Sequence, residues 1–251
     1  MSQFDGFLWL VATLFPLLFI QPWLHREIQV LFLLLTRRAD IATILFALLF
    51  FPGVLLHEAS HFLMAKALFV PTGRFSLLPR QMKNGMLQLG YVETAKVDWL
   101  REFLIGLAPL LAGGAVVAYA GVARLGLSAL WGPLAAGDGP ALLAALAALP
   151  AQPDFVLWFY LTATVSATMM PSASDRRTWL PLGLILAGAI AILLYLGGGQ
   201  WLAAAVGPRL NDALRRVAVV FGIAAVVQTA LLLPLAVLRR VASEVTGLEV
   251  K

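Results

Sequence analysis

Ile41-Ala42-Thr43-Ile44-Leu45-Phe46-Ala47-Leu48-Leu49-Phe50-Phe51-Pro52-Gly53-Val54-Leu55-Leu56-His57-Glu58-Ala59-Ser60-His61 runs without a charge until it delivers two imidazoles and a carboxylate in five residues. An apolar run of this kind reads as part of a membrane helix. Ionisable side chains near a bilayer centre cost about 2.5–3.5 kcal/mol on insertion scales, so these three are expensive unless something binds them. Residues four apart share a helical face, which lets His57 and His61 present ring nitrogens to one ion. Glu58 is rotated off that line but stays within reach of a water on the ion. The chain has three histidines, and two are here.

The composition sets the solvent. Of 251 residues 61% are hydrophobic and 12% charged, and the mean hydropathy is +0.90. A soluble domain of this length cannot bury so much apolar surface, so the medium is lipid. The net charge of +5 would suggest nucleic acid in a soluble protein. Here the basic residues lie between apolar segments, where they set orientation and meet anionic headgroups; no nucleic-acid partner is expected. With no cysteine, a metal must take nitrogen and oxygen donors.

Apolar segments long enough to span fall at about 6–24, 40–69, 100–122, 153–172, 178–199 and 213–238, which gives an all-α polytopic membrane protein of about six transmembrane helices. The N-terminus carries Asp5 instead of a positive region, and the stretch from Phe7 to Leu24 has no small-residue cleavage site, so it reads as a retained first span. Glu27 to Thr36 is expected to form a separate interfacial or re-entrant helix. Leu127 to Leu149, broken by Gly132-Pro133 and Gly137-Asp138-Gly139-Pro140, reads as a loop with a short helix or as a half-helix pair. This divides the chain into an N-terminal helix and interfacial segment (1–39), a membrane core (40–180) and C-terminal helices (181–251). With six spans, 11 Lys and Arg residues lie on the side of the 70–99 loop, the 173–177 loop and the C-terminus, against 7 opposite, which assigns that side to the cytosol.

The only sizeable polar stretch before the third span follows the histidine helix. Lys83-Asn84-Gly85 is a tight-turn signal between Arg74-Phe75-Ser76-Leu77-Leu78 and Met86-Leu87-Gln88-Leu89-Gly90-Tyr91-Val92-Glu93, so a small β-hairpin is expected on the cytosolic side.

H-E-x-x-H on a helix supplies two zinc ligands and a general base, and catalytic zinc generally takes a third protein ligand. Asp175 is the best candidate, because Pro171 disrupts the helix just before it and can aim a side chain inward. Glu93, Asp98 and Glu102 are rivals. His25 falls at the opposite end of the first span and is a poor candidate. Gly106, Gly113 and Gly114 read as sites of close helix packing.

The order of these parts resembles the site-2 protease family of intramembrane zinc metalloproteases. That order is a membrane helix ending in Leu55-Leu56-His57-Glu58-Ala59-Ser60-His61, then a hairpin, a Gly/Pro-bearing helix, and a Pro-and-Asp motif. The resemblance covers roughly 40–180. His57, Glu58 and His61 match the family residue by residue, and Asp175 corresponds to the Asp of its Asn-x-x-Pro…Leu-Asp-Gly motif. The family's asparagines, which help hold the substrate backbone, are absent. Gly106-Leu107-Ala108-Pro109 stands where the third helix would carry Gly-Pro-x-x-Asn, and no Asn precedes Pro171.

The resemblance implies a Zn²⁺ endopeptidase in which His57, His61 and Asp175 hold the metal and Glu58 is the catalytic general base. Its substrate would be a transmembrane protein or peptide, a single-span regulator or a trimmed remnant, in a prokaryotic cell membrane with the site towards the cytosol. A transmembrane helix must unwind before it is cut, and Leu87, Gln88, Leu89, Gly90 and Tyr91 of the hairpin are the candidate edge for binding the extended segment. The rival is a metal-binding but non-proteolytic membrane protein acting as chaperone or regulator; the missing asparagines favour it and the intact Glu58 opposes it. A transporter is weaker, since no inverted repeat is visible.

Overall fold

A computed structural model describes residues 5–81 and 87–248. Helix α1 spans Asp5–Thr36, α2 Ala39–Leu49 and α3 Phe51–Ala67. Four short strands follow: β1 Thr72–Ser76, β2 Arg80–Gln81, β3 Leu87–Gln88 and β4 Tyr91–Thr94. The rest is helical: α4 Trp99–Tyr119, α5 Trp131–Ala136, α6 Gly139–Ala148, α7 Phe155–Thr168, α8 Trp179–Tyr195, α9 Gly199–Ala205 and α10 Gly207–Thr246. A π-helical stretch extends α4 to Arg124.

Among the described residues three helices are long and apolar enough to cross a membrane: α1, α4 with its extension, and α10. Three bent pairs raise the candidates to six: α2 with α3 (67°), α6 with α7 (102°) and α8 with α9 (120°). Among the described residues α8 and α9 bury nothing, and Leu184 and Ile192 are more than 60% exposed. So large an apolar face suits lipid and not water. The 27–36 segment is not separate, because α1 runs unbroken through it despite Pro16 and Pro22.

The longest helix pair fixes a directional rule. Gly6 N donates to Asn211 Oδ1 at 2.8 Å, Asp5 pairs with Arg215, Thr13 lies against Gly222, and Glu27 pairs with Arg239. The residue numbers rise together, so α1 and α10 are parallel. Successive crossings alternate in direction. Where α1 and α10 each cross once, their parallel course requires an odd count from one to the other, and six alternating spans would set them antiparallel. On that condition at least one bent pair turns back instead of crossing.

Small residues set the contacts around the centre of the molecule. A Cβ on Gly53 would collide with the Thr164 carbonyl and the Thr168 hydroxyl, so only glycine lets α3 lie this close to α7. Gly113 does the same against Met169, and Gly114 faces Val220, as expected of packing glycines. One buried cluster joins Leu17, Val117, Val165, Phe221 and Val227; a second joins Leu24, Phe46, Phe50, Val54, Ala167 and Leu232.

The hairpin forms as two short antiparallel ladders. In the first, Thr72 pairs with Thr94, Phe75 with Val92 and Ser76 with Tyr91; in the second, Arg80 pairs with Gln88 and Gln81 with Leu87. Pro79 has no N–H to give to a ladder and lies between them. The expected turn at Lys83-Asn84-Gly85 falls outside the described residues. Leu77 and Leu89 pack on the second buried cluster, so the hairpin lies over the Leu24 and Leu232 levels of α1 and α10.

Candidate metal centre

His57 and His61 sit one turn apart on α3, and both rings are aimed by backbone carbonyls. His57 Nδ1 lies 2.7 Å from the Thr168 carbonyl oxygen, and His61 Nδ1 lies 2.9 Å from that of Ile105. Both carbonyls are available for a reason written in the sequence. Thr168 is the last residue of α7, where helical carbonyls lose their partners. Ile105 would normally accept from the residue four later, but that residue is Pro109, which has no N–H.

A carbonyl only accepts, so both Nδ1 atoms donate and the two Nε2 atoms are left to face each other, 3.2 Å apart. Two neutral acceptors cannot bond to one another; a cation between them satisfies both. Asp175 completes the group. Its Oδ1 lies 3.5 Å from His61 Nε2 and its Oδ2 3.9 Å from His57 Nε2, while Ser172 N donates to Oδ2 at 2.7 Å. One ligand atom from each of the three residues falls within 4.8 Å of the others. Two nitrogens and a carboxylate, with carbonyls bonded behind the imidazoles, fit a divalent metal ion with a position left open.

Close approach of Asp175 depends on Gly106. A Cβ there would run into the Asp175 carbonyl oxygen. Gly106-Leu107-Ala108-Pro109 therefore serves the site twice, with glycine admitting the Asp175 turn and proline freeing the carbonyl that orients His61. The expectation of plain helix packing at Gly106 is corrected accordingly.

The rival acids are engaged elsewhere or stand apart. Glu93 accepts from Arg74 N at 3.2 Å beside the β1–β4 ladder. Asp98 caps α4 through Arg101 N at 3.1 Å and pairs with the Arg101 guanidinium. Glu102 lines the cavity without joining the His57, His61 and Asp175 group.

That cavity, about 550 Å³, opens over the three residues. Glu58 is buried in its wall under the hairpin: a Cβ on Gly90 would sit 2.8 Å from Glu58 Cγ. Of the candidate binding edge, Leu89, Gly90 and Tyr91 line the cavity, joined by Val92 and Thr94, which the sequence reading did not single out. Leu87 and Gln88 lie in β3. The placement of His25 is corrected. It is not at a far end but in the wall of this same cavity, because α1 is one long helix and α2 folds Phe46 and Phe50 against it.

Comparison of the chain with protein-family models, with characterised proteins and with solved structures returns no match.

Proposed function

We propose that this chain is a zinc-dependent intramembrane endopeptidase of the site-2 protease type. The observation that carries the reading is the convergence of His57, His61 and Asp175 on one point inside an apolar helical body, with Glu58 in the wall of the same cavity. Zn²⁺ held there would supply a Lewis acid that acidifies water and polarises the scissile carbonyl. Glu58 takes the proton of the attacking water and gives it to the leaving amide nitrogen as the C–N bond breaks and the hydroxyl joins the acyl carbon. The substrate is a membrane helix unwound locally, and the segment from Leu89 through Val92 beside the cavity offers it strand-like backbone pairing.

The parallel α1 and α10 sharpen the orientation. They place Arg26, Arg37 and Arg38 on the side of Arg239 and Arg240, which changes the division of Lys and Arg from 11 against 7 to 14 against 4. By the positive-inside rule that side, with the hairpin and Asp175, faces the cytosol, which supplies the hydrolytic water.

The rival, a metal-binding protein without proteolysis, draws on the absence of Asn from both Gly106–Pro109 and the residues before Pro171. Purified metal-loaded protein incubated with single-span membrane substrates separates the two. Wild type should cleave, and Glu58→Gln should keep its metal and lose about 10²–10⁴-fold in rate. Equal cleavage by Glu58→Gln would overturn the mechanism, and full metal loading without cleavage of any substrate would favour the rival.

A further inference from the structure

His25 is the third histidine of the chain, and no step so far uses it. It lies on α1, in the wall of the cavity that holds His57, Glu58, His61 and Asp175. Its Nε2 is buried and has no hydrogen-bond partner among the described residues. The ring is held edge-on by two phenylalanines, Phe46 with centroids 5.5 Å apart and Phe50 at 5.0 Å, and neither offers a polar atom. Its helix is anchored on both sides. One turn earlier Gln21 Nε2 donates to the Ala167 carbonyl at 2.8 Å, next to the residue whose carbonyl orients His57; two residues later Glu27 pairs with Arg239.

A buried polar atom left unsatisfied is costly, and native structures satisfy nearly all of them. In the ring position seen here Nε2 is covered, so a partner in the cavity reaches it once the imidazole turns between Phe46 and Phe50, and that bond would satisfy the orphaned atom. The cavity narrows the choice of partner. Its lining includes no Asn, Gln, Lys or Arg among the described residues. Of its five hydroxyl-bearing residues, Thr168 donates through Oγ1 within its own helix and the hydroxyls of Ser172 and Ser174 bond each other; Tyr91 and Thr94 stand on the hairpin side of the cavity. An extended peptide crossing this space brings backbone groups that need partners; the hairpin serves one edge of it, and on α1 His25 is the polar lining residue among the described residues.

We propose that His25 is a substrate-binding residue whose Nε2 hydrogen-bonds a backbone peptide group of the unwound substrate segment. The proposal rests on the endopeptidase reading. It was invisible in the sequence because a lone histidine in an apolar run is indistinguishable from a packed core residue.

Binding, not turnover, tests it. A fluorescently labelled single-span peptide is titrated into zinc-loaded Glu58→Gln protein, alone and combined with His25→Phe or His25→Gln, with metal content measured in each. The expected result is unchanged zinc, a Kd weakened about tenfold by His25→Phe, and recovery to within about threefold by His25→Gln, whose amide can replace the lost bond. Equal Kd for His25→Phe and its parent overturns the role of His25 and leaves the endopeptidase reading standing. Loss of zinc in the His25 variants overturns it by making the residue structural. No peptide binding by the zinc-loaded Glu58→Gln parent sinks both. Should His25→Phe fail to fold, ¹⁵N-histidine spectra of the parent decide the matter: peptide must shift the His25 Nε2 resonance, and an unmoved resonance overturns the proposal.

Discussion

Gly106→Ala tests whether the Asp175 turn is held against α4 as tightly as its role demands. An added Cβ would stand 3.1 Å from the Asp175 carbonyl carbon and 3.2 Å from its Cα, and nearer still to the carbonyl oxygen. These are all backbone atoms, so no side-chain rotation relieves the clash. Helix α4 is itself pinned by Gly113 against Met169, and the Asp175 turn must give way. Overpacking of this kind costs about 1–3 kcal/mol. If the turn escapes by backing off, that cost is recovered in the metal-free protein and is charged against metal binding, which should weaken about 5- to 150-fold. Competition with a chromophoric chelator measures it. Gly114→Ala is the matched control: its nearest neighbour, Val220 Cγ1 at 3.7 Å, is an ordinary contact, so metal affinity should not change. Wild-type affinity in Gly106→Ala would refute the claim that this glycine admits the ligand.

Pro109→Ala returns an N–H that competes with His61 Nδ1 for the Ile105 carbonyl, so metal affinity should fall about tenfold while the metal-free protein melts no lower. Wild-type affinity in that variant would mean the proline is incidental. Because the chain has no cysteine, single cysteines report sidedness directly. Arg38→Cys and Arg240→Cys should label from one face of the membrane and Arg209→Cys from the other; labelling of Arg38→Cys together with Arg209→Cys would restore the six-span topology.

The local chemistry of the centre was legible because it depends on spacing. Four residues on a helix bring His57 and His61 to one face, and Pro171 marks where a chain leaving α7 can turn Asp175 back. Pro171 already favoured Asp175, but setting aside Glu93 and Asp98 needed the fold, since only tertiary placement shows Glu93 engaged at the hairpin and Asp98 spent as a cap. The hairpin was legible from Asn84-Gly85 and the runs that flank it, but the approach of Gly90 to Glu58 was not, because the two are distant in sequence. His25 was misplaced for a different reason. Hydropathy gives the length of an apolar run but not whether it joins the next, and α1 continues from the proline-bearing 6–24 run into 27–36 while its contacts with α10 extend from Asp5 to Glu27. The proposed parity of the spans, and with it the sharper charge asymmetry, rests on that single packing.

A metal centre made by His57, His61 and Asp175 is tested most directly by the metal content of purified protein. Wild type should carry one zinc per chain, His57→Ala and His61→Ala almost none, and Asp175→Ala much less than one, while Glu93→Ala, Asp98→Ala and Glu102→Ala stay at one. Full zinc in either histidine variant, or loss of zinc on removal of Glu102 but not of Asp175, would contradict the account.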